Sequence, residues 1–158
     1  MTDSLLSTLD SLGVAYEIFP CDPDLADTAQ FCEAYGFDLS ESANTIMVIG
    51  KSNPPVFAVC VVLASTRLDV NRTVKKKIGV RKTSFASAED TVRLTGQTIG
   101  GVTPFGLPDD LPLWVDARVM TKDRIVLGGG SRDRKILTSP GILTALGAEI
   151  VEGLAFES

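Results

Sequence analysis

Residues 42–63 read SANTIMVIGKSNPPVFAVCVVL and contain two apolar runs separated by a polar turn. The runs at 45–49 and 56–63 are rich in β-branched residues, which favour strands. Residues 52–55, Ser-Asn-Pro-Pro, lie between the runs and have the composition of a turn. This stretch therefore predicts two strands joined by a turn, and the second run reads as a buried strand.

Helical and strand patterns alternate on both sides of this pair. Apolar residues at helical spacing, each run followed by a glycine suited to a helix C-terminus, predict helices over residues 4–12, 27–35, 70–78 and 87–95. Ser139 and Pro140 supply an N-cap and a first-turn proline for a last helix that stops at Gly147. Short β-rich runs predict strands over residues 15–19, 113–115, 124–127, 135–138 and 148–151. We therefore expect a single α/β domain, residues 1–158, with a mixed, curved sheet surrounded by helices.

The composition is that of an ordinary globular chain and excludes several kinds of site. Of the 158 residues, 44% are hydrophobic and 22% are charged. No apolar run approaches the roughly 18 residues of a membrane span, and the N-terminus lacks the basic region of a secretory signal, so we expect a cytoplasmic protein. The chain has no histidine, which removes Ser-His-Asp and Cys-His catalysis and His-based zinc motifs. Its three widely spaced cysteines predict free thiols, and we expect neither a metal nor a cofactor.

Charge is unevenly distributed along the chain. Residues 1–50 contain nine acidic and no basic residues, whereas residues 51–135 contain all fifteen basic residues and eight acidic ones. The net charge of −5 argues against extensive wrapping of nucleic acid, although the middle segment can present a local basic face. The predicted helix over 70–78 carries a basic cluster, Arg72 and Lys75–Lys77, beside a narrow apolar stripe. That cluster is either a solvated surface or a set of phosphate contacts.

A Gly/Pro-rich loop is predicted over residues 97–112. Its central part, residues 100–106, reads GGVTPFG. Paired glycines let a backbone approach a ligand closely or adopt positive φ, and the proline stiffens the loop. The segment is either a rigid wall that presents backbone groups to a substrate or a connection whose glycines serve turns. It matches neither a dinucleotide-binding motif nor a P-loop.

A second glycine-rich segment, residues 128–132, reads GGGSR and directly follows a predicted strand. Successive backbone amides at glycines can form an anion-binding nest, and the serine and arginine could add a hydroxyl and a charged fork. The alternative is a glycine-rich hairpin without a ligand.

Taken in order, these segments resemble the YbaK/EbsC family, also called the ProX-like or aminoacyl-tRNA synthetase-associated editing domain. The resemblance covers roughly residues 27–150. Besides the two glycine-rich segments and the basic helix, it rests on residues 42–46 (SANTI), 64–69 (ASTRLD), 87–90 (SAED), 94–96 (LTG) and 111–116 (LPLWVD).

The resemblance implies a free-standing trans-editing enzyme that hydrolyses the ester of a mischarged tRNA, of the proline-tRNA type or a related one. In that family the neighbouring ribose hydroxyl is implied to assist the attacking water, so that the protein supplies a shaped pocket and aimed backbone dipoles instead of a triad. The implied partners are the 3′ acceptor end of aminoacyl-tRNA and, as a second possibility, an aminoacyl-tRNA synthetase, with neither membrane nor DNA involved.

The same resemblance implies the site residues. The catalytic set is Asn44, Gly100 and Gly101. Residues expected to contact the substrate are Thr45, Ile46, Thr103, Pro104, Phe105, Gly128, Gly129, Gly130 and Ser131, with Val62 as a further candidate for the pocket lining. Residues expected to contact tRNA phosphates are Arg72, Lys75, Lys76 and Arg132.

Asn44 departs from the family pattern, because the family typically has a lysine at that place. A lysine supplies a full charge and three donors, whereas asparagine supplies a neutral amide with a donor and an acceptor end. The substitution is compatible with a variant catalytic geometry, with a different amino-acid preference, or with loss of catalysis and retention of binding. Two other functions therefore stay open, a non-catalytic relative that binds aminoacyl-tRNA or a synthetase, and a small-ligand domain or hydrolase of another activated ester.

Overall fold

The computed structural model describes residues 4–97 and 101–157. Within them, the α-helices are α1 (Ser4–Ser11), α2 (Thr28–Tyr35), α3 (Lys75–Ile78), α4 (Ala88–Thr95) and α5 (Gly141–Ala145). The strands are β1 (Tyr16–Pro20), β2 (Ala43–Gly50), β3 (Val56–Leu63), β4 (Thr66–Leu68), β5 (Thr83–Phe85), β6 (Leu113–Asp116), β7 (Ile125–Gly128), β8 (Arg134–Thr138), β9 (Glu149–Val151) and β10 (Ala155–Glu157).

The largest sheet has five strands in the order β5-β2-β3-β6-β9. Its β5-β2 and β2-β3 pairs are antiparallel, whereas its β3-β6 and β6-β9 pairs are parallel. An antiparallel sheet, β1-β8-β7, and the antiparallel pair β4-β10 complete the strands. The expected α/β fold with a mixed sheet flanked by helices is therefore confirmed.

The β2-β3 pair predicted from residues 42–63 is the centre of the molecule, because each of its faces is covered by a separate core. On one face, Ala43 and Val61 belong to a cluster that includes residues of α1, β7 and α5. On the other face, Val48 and Cys60 pack with residues of β4, β6 and β10. Burial on both faces explains why this stretch is nearly continuously apolar instead of alternating.

A backbone bridge links the three-stranded sheet to the large sheet. Ser42, immediately before β2, forms a parallel bridge with Val126 of β7. A third cluster, centred on Phe31 of α2 and including Val126, packs beneath this junction. The start of β2, the N-terminus of α2 and strands β7 and β8 are thereby brought together.

Most helix ends lie where glycines and capping residues in the sequence predicted them. Gly36, Gly79 and Gly96 adopt positive φ at the C-termini of α2, α3 and α4, and the Ser87 hydroxyl accepts a hydrogen bond from the Asp90 N–H. The helix predicted over residues 70–78 is divided, since Val70–Val74 forms a π-type turn before the short α3. The last helix begins at Gly141, with Pro140 in the capping position.

The short strands β4, β5 and β10 were not predicted. Each has three residues, too few to show a periodic pattern, and each is defined by its pairing partner. Among the described residues, none of the helices has both the length and the apolar character needed to cross a membrane.

Candidate functional site

A cavity of about 300 Å³ lies where the two sheets meet. Its wall comes from the entry to α2, from β2, from the β5–α4 connection and from β7 and β8. The segments concerned are residues 26–28, 42–47, 85–86 and 126–128, together with Thr91, Val102 and Lys135. The predicted site residues Asn44, Thr45, Ile46 and Gly128 are thus brought together around one space.

Asn44 holds a defined orientation in the cavity wall. Its Oδ1 accepts a hydrogen bond of 2.6 Å from the Thr28 hydroxyl, which comes from the first residue of α2. Within residues 4–97 and 101–157, the Asn44 Nδ2 group donates to no protein acceptor. The Asn44 Oδ1 atom therefore bonds within the protein, and the Nδ2 group is available to donate to a ligand.

Thr45 adds a second polar group with unused hydrogen-bonding capacity. Its hydroxyl is buried and has no hydrogen-bond partner among the described residues. Buried hydroxyls are normally paired, and an unpaired one costs free energy unless a ligand or water satisfies it. Thr45 lines the cavity, so this unpaired hydroxyl lies buried next to the space in which a ligand would bind.

Lys135 lines this cavity, although it was not predicted as a site residue from the sequence. It lies on β8, is only 6% exposed, and its Nζ donates to the Ala26 carbonyl at 2.6 Å. The ammonium also lies 5.5 Å from the centre of the Phe31 ring. Burial holds the pKa of this amine below its usual value.

A signal for Lys135 is present in the sequence. Side chains two residues apart on a strand share a face, and Leu137 is buried in the cluster around Phe31. A lysine on the same face of an otherwise apolar strand has to extend into a buried region. Strand alternation over residues 135–138 therefore carries the information that places this amine in the interior.

The two glycine-rich segments pack against each other, which explains several of their glycines. A Cβ on Gly101 would stand 2.5 Å from the backbone of Ser131, and a Cβ on Gly128 would overlap the Val102 carbonyl. The Gly130 N–H donates to the Gly101 carbonyl at 2.6 Å. Gly128 lines the cavity. Gly100, the third predicted catalytic residue, lies outside the described residues.

In the Gly/Pro-rich loop, residues 103–105 are held by hydrogen bonds to the buried side chain of Gln97. The Gln97 side chain accepts from the Thr103 N–H at 2.9 Å and donates to the Phe105 carbonyl at 3.1 Å. Phe105 is 1% exposed and belongs to the core cluster that includes α1 and β7 residues. Thr103, Pro104 and Phe105 are buried and do not belong to the cavity wall formed by the described residues, so their predicted contact with substrate has no support in this geometry.

The remaining residues of the second segment support the cavity instead of lining it. The Ser131 hydroxyl donates to Asp133 at 2.6 Å. Arg132 donates to the Pro23 carbonyl at 3.0 Å and to the Asp27 carboxylate at 3.3 Å, and so ties this loop to the entry of α2. Gly129 is covered by Arg134, against which a Cβ would stand at 2.6 Å.

The predicted phosphate contacts fall at two different places. Arg72, Lys75 and Lys76 are exposed around α3, whereas Arg132 lies near the N-terminus of α2. Lys77, the fourth basic residue of the cluster, is paired with Glu149. Three of the four predicted phosphate contacts therefore form one exposed basic surface, and the fourth is already bonded to protein groups.

A second and larger depression of about 910 Å³ adjoins the cavity. We call it the groove, and it is formed by β2 and β3 with residues 66–72, 83–85 and Phe156. Asn44, Ile46 and Phe85 line both the cavity and the groove, and the predicted lining residue Val62 lies in the groove. The two spaces are therefore neighbours around the start of β2.

Known proteins resemble this chain in sequence over most of its length. Residues 22–146 match the family model of the aminoacyl-tRNA editing domain. A protein of Enterococcus faecalis named "Putative Cys-tRNA(Pro)/Cys-tRNA(Cys) deacylase EbsC" is 23% identical over 81% of this chain and 76% of its own length. The uncharacterized protein YwhH of Bacillus subtilis is 27% identical over 73% of this chain and 71% of its own length.

Solved structures share the fold over nearly the whole chain. The crystal structure of hypothetical protein APE2540 superposes with a TM-score of 0.86 and 24% identity, covering 97% of this chain and 99% of that one. The structure described as "a putative trans-editing enzyme for prolyl tRNA synthetase" gives a TM-score of 0.81 at 20% identity, covering 100% and 99%.

Proposed function

Because the chain belongs to the aminoacyl-tRNA editing domain family, we propose that it hydrolyses the ester that joins a wrongly attached amino acid to the 3′-terminal ribose of a tRNA. The observation that carries this proposal is the cavity at the start of β2. It places the donor end of Asn44, the unpaired hydroxyl of Thr45 and the amine of Lys135 around one space of about 300 Å³.

The reaction requires few chemical groups from the protein. Water adds to the ester carbonyl, negative charge develops on the carbonyl oxygen, and the ribose oxygen leaves with a proton as the carboxylic acid of the amino acid is released. An ester is already activated, so positioning and stabilisation of the developing charge can supply the rate enhancement. The absence of histidine from the chain is compatible with this chemistry.

We assign distinct roles to the polar groups of the wall. The Asn44 Nδ2 group donates to the substrate, held in place by the bond between Oδ1 and Thr28. The Lys135 ammonium supplies positive charge close to the developing oxyanion, in a region where burial strengthens electrostatic interactions. Gly128 lets the backbone of Val102 pack against the end of β7, and both residues line the cavity.

The size of the cavity favours a small aminoacyl group. Its volume of about 300 Å³ lies at the lower end of the roughly 300–1,000 Å³ range of ligand pockets. The Enterococcus relative is named for cysteine attached to proline and cysteine tRNAs. We propose a substrate of that size class, such as alanine, serine or cysteine attached to a tRNA of the proline type, and we propose that the reaction takes place in the cytoplasm.

A second candidate function follows from Asn44 itself. Asparagine brings no charge to the strand start, so the cavity could bind the aminoacyl end without hydrolysing it, alone or with a synthetase. The two functions differ in turnover but not in binding.

The test is single-turnover hydrolysis of tRNAs charged with alanine, serine, cysteine, threonine or proline, with the protein in excess. We expect release of at least one small amino acid, and no release of proline from correctly charged proline tRNA. A protein that binds these tRNAs but releases none of the amino acids is a binding relative. Failure both to bind and to hydrolyse them contradicts the proposed function.

A further inference from the structure

We propose that the groove binds the unpaired nucleotides that precede the esterified terminal nucleotide of the substrate, with a base stacked on Phe156 and phosphates close to Arg67 and Arg72. This inference rests on the proposed function, because it assigns a place to the strand that must leave the cavity when the ester lies inside it.

The position of the groove next to the cavity is the first argument. Asn44, Ile46 and Phe85 each contribute to both linings, so the groove is the neighbouring space for a strand whose end lies in the cavity. The groove has about three times the volume of the cavity, about 910 Å³ against about 300 Å³. The smaller space suits the aminoacyl group, and the larger one has room for bulkier units such as nucleotides.

Exposed aromatic rings are the second argument. Phe85 is 58% exposed on β5 and Phe156 is 47% exposed on β10, and both line the groove. Neither ring belongs to the described core clusters. Aromatic rings exposed at the sides of a groove are typical platforms for single-stranded nucleic acid, because every base has a face that can stack.

Charge is the third argument. Arg67 and Arg72 both line the groove, and Arg67 is paired across the β4-β10 ladder with Phe156. One acidic residue, Asp69, lines it as well, and its carboxylate accepts a hydrogen bond from Thr73 at 3.1 Å. The charged residues of the described lining therefore sum to +1, in a protein whose total charge is −5.

These features together favour single-stranded nucleic acid over a protein segment. A protein partner would be expected to use contiguous apolar surface, whereas this lining combines two exposed rings with two guanidinium groups. The adjoining exposed basic surface of Arg72, Lys75 and Lys76 extends the positive region beyond the groove. A strand in the groove would thus continue towards further phosphate contacts.

The experiment compares two small substrates that carry the same amino acid. One is aminoacyl-adenosine, which reaches only the cavity, and the other is an aminoacylated CCA trinucleotide, which also reaches the groove. We expect kcat/KM of the wild type to be higher for the trinucleotide. In Phe156→Ala, the ratio of kcat/KM for the trinucleotide to kcat/KM for aminoacyl-adenosine should fall by about five- to 150-fold, which corresponds to roughly 1–3 kcal/mol for one stacked base. Arg67→Gln should also lower this ratio and should make it less sensitive to salt.

Leu39→Ala is the matched control, because Leu39 is 41% exposed and does not line the groove. Equal ratios in wild type, Phe156→Ala and Leu39→Ala would overturn the inference. If the wild type hydrolyses neither substrate, hydrolysis of the charged tRNAs decides the proposed function separately, and the groove is then tested by binding of the uncharged trinucleotide, measured by calorimetry. Tighter binding by the wild type than by Phe156→Ala supports the groove even in that case, and equal or absent binding contradicts it.

Discussion

Gly101 and Ser131 lie backbone to backbone, so close that a Cβ on Gly101 would stand 2.5 Å from the carbonyl of Ser131. Next to this contact, the Gly130 N–H donates a hydrogen bond to the Gly101 carbonyl at 2.6 Å. Two glycine-rich segments some thirty residues apart in the sequence therefore form one structural unit behind the cavity. The paired glycines were expected to form the substrate wall; in the structure Gly101 packs against Ser131 and is not among the described residues that line the cavity.

The first prediction concerns this contact. Gly101→Ala should lower both stability and activity, since the backbone of Ser131 must shift to admit the methyl group. We expect a loss of about 1–3 kcal/mol, typical of overpacking, and a fall of several degrees in Tm measured by calorimetry. Gly141→Ala is the matched control, because the nearest atom to its added Cβ is the Ser139 hydroxyl at 4.0 Å. An unchanged Tm in Gly101→Ala together with loss of activity would show that Gly101 contacts the substrate.

The second prediction isolates the donor end of Asn44. Asn44→Asp keeps an oxygen for the Thr28 hydroxyl but removes the Nδ2 group. Single-turnover hydrolysis should fall about tenfold or more, since a hydrogen bond is removed and a negative charge is placed beside the developing oxyanion. The comparison variant is Thr28→Val, which should reduce hydrolysis less because it disturbs orientation and keeps the donor. Full activity of Asn44→Asp would remove the amide from the mechanism.

A lysine at the same place gives a third test. In Asn44→Lys, the added charge should favour the oxyanion and raise hydrolysis of at least one small aminoacyl group by about an order of magnitude. The measurement is single-turnover hydrolysis of alanyl-, cysteinyl-, seryl- and threonyl-tRNA by both proteins. If the variant is slower with all four, the cavity is organised around the Asn44 amide and the existing Lys135 ammonium.

The fourth prediction concerns Lys135. Lys135→Met should lower turnover at least tenfold at neutral pH, because a buried positive charge is removed from the cavity. Burial lowers the pKa of this amine, and the groups that act on it from neighbouring elements are Cys21, Arg132, Asp27 and Cys32. As pH rises, wild-type turnover should decline when the Lys135 amine loses its proton. This should happen at a lower pH than it would for a lysine of ordinary pKa. A pH profile of the same shape in Lys135→Met would assign that decline to another group.

Lys135 also makes a prediction about stability with a defined sign. Its pKa in the folded state lies below the unfolded value of about 10.5, so the unfolded chain holds more protons between the two values. The free energy of unfolding should therefore rise with pH through that window in the wild type, relative to Lys135→Met. Urea unfolding at a series of pH values measures this difference, and a constant difference would contradict the lowered pKa.

The fifth prediction concerns the basic surface around α3. Replacement of Arg72, Lys75 and Lys76 by Ala should weaken tRNA binding and flatten its salt dependence by about 0.7–0.9 in slope for each phosphate that is no longer neutralised. Aminoacyl-adenosine, which lacks those phosphates, serves as the reference substrate for the same variant. Wild-type affinity and slope in the triple variant would identify the cluster as a solvated surface.

The sequence by itself determined the elements whose signals are local. Residues 45–49 and 56–63 specified the central strand pair through β-branched apolar runs. Gly36 and Gly96 ended helices because a glycine adopts positive φ without strain, and Ser87 began one because its hydroxyl reaches the Asp90 N–H. The predicted run began at Thr45, one residue after Asn44, whereas β2 begins at Ala43.

Tertiary structure alone decided which distant residues share the cavity. The Lys135 amine meets the Ala26 carbonyl across 109 residues of sequence, and the contact between Gly101 and Ser131 joins two loops that no local pattern connects. Phe105, predicted beside the substrate, lies in the core because Gln97 fixes its loop from inside. Periodicity reports which face of an element is buried, but which elements meet at that face depends on packing between residues far apart in the chain.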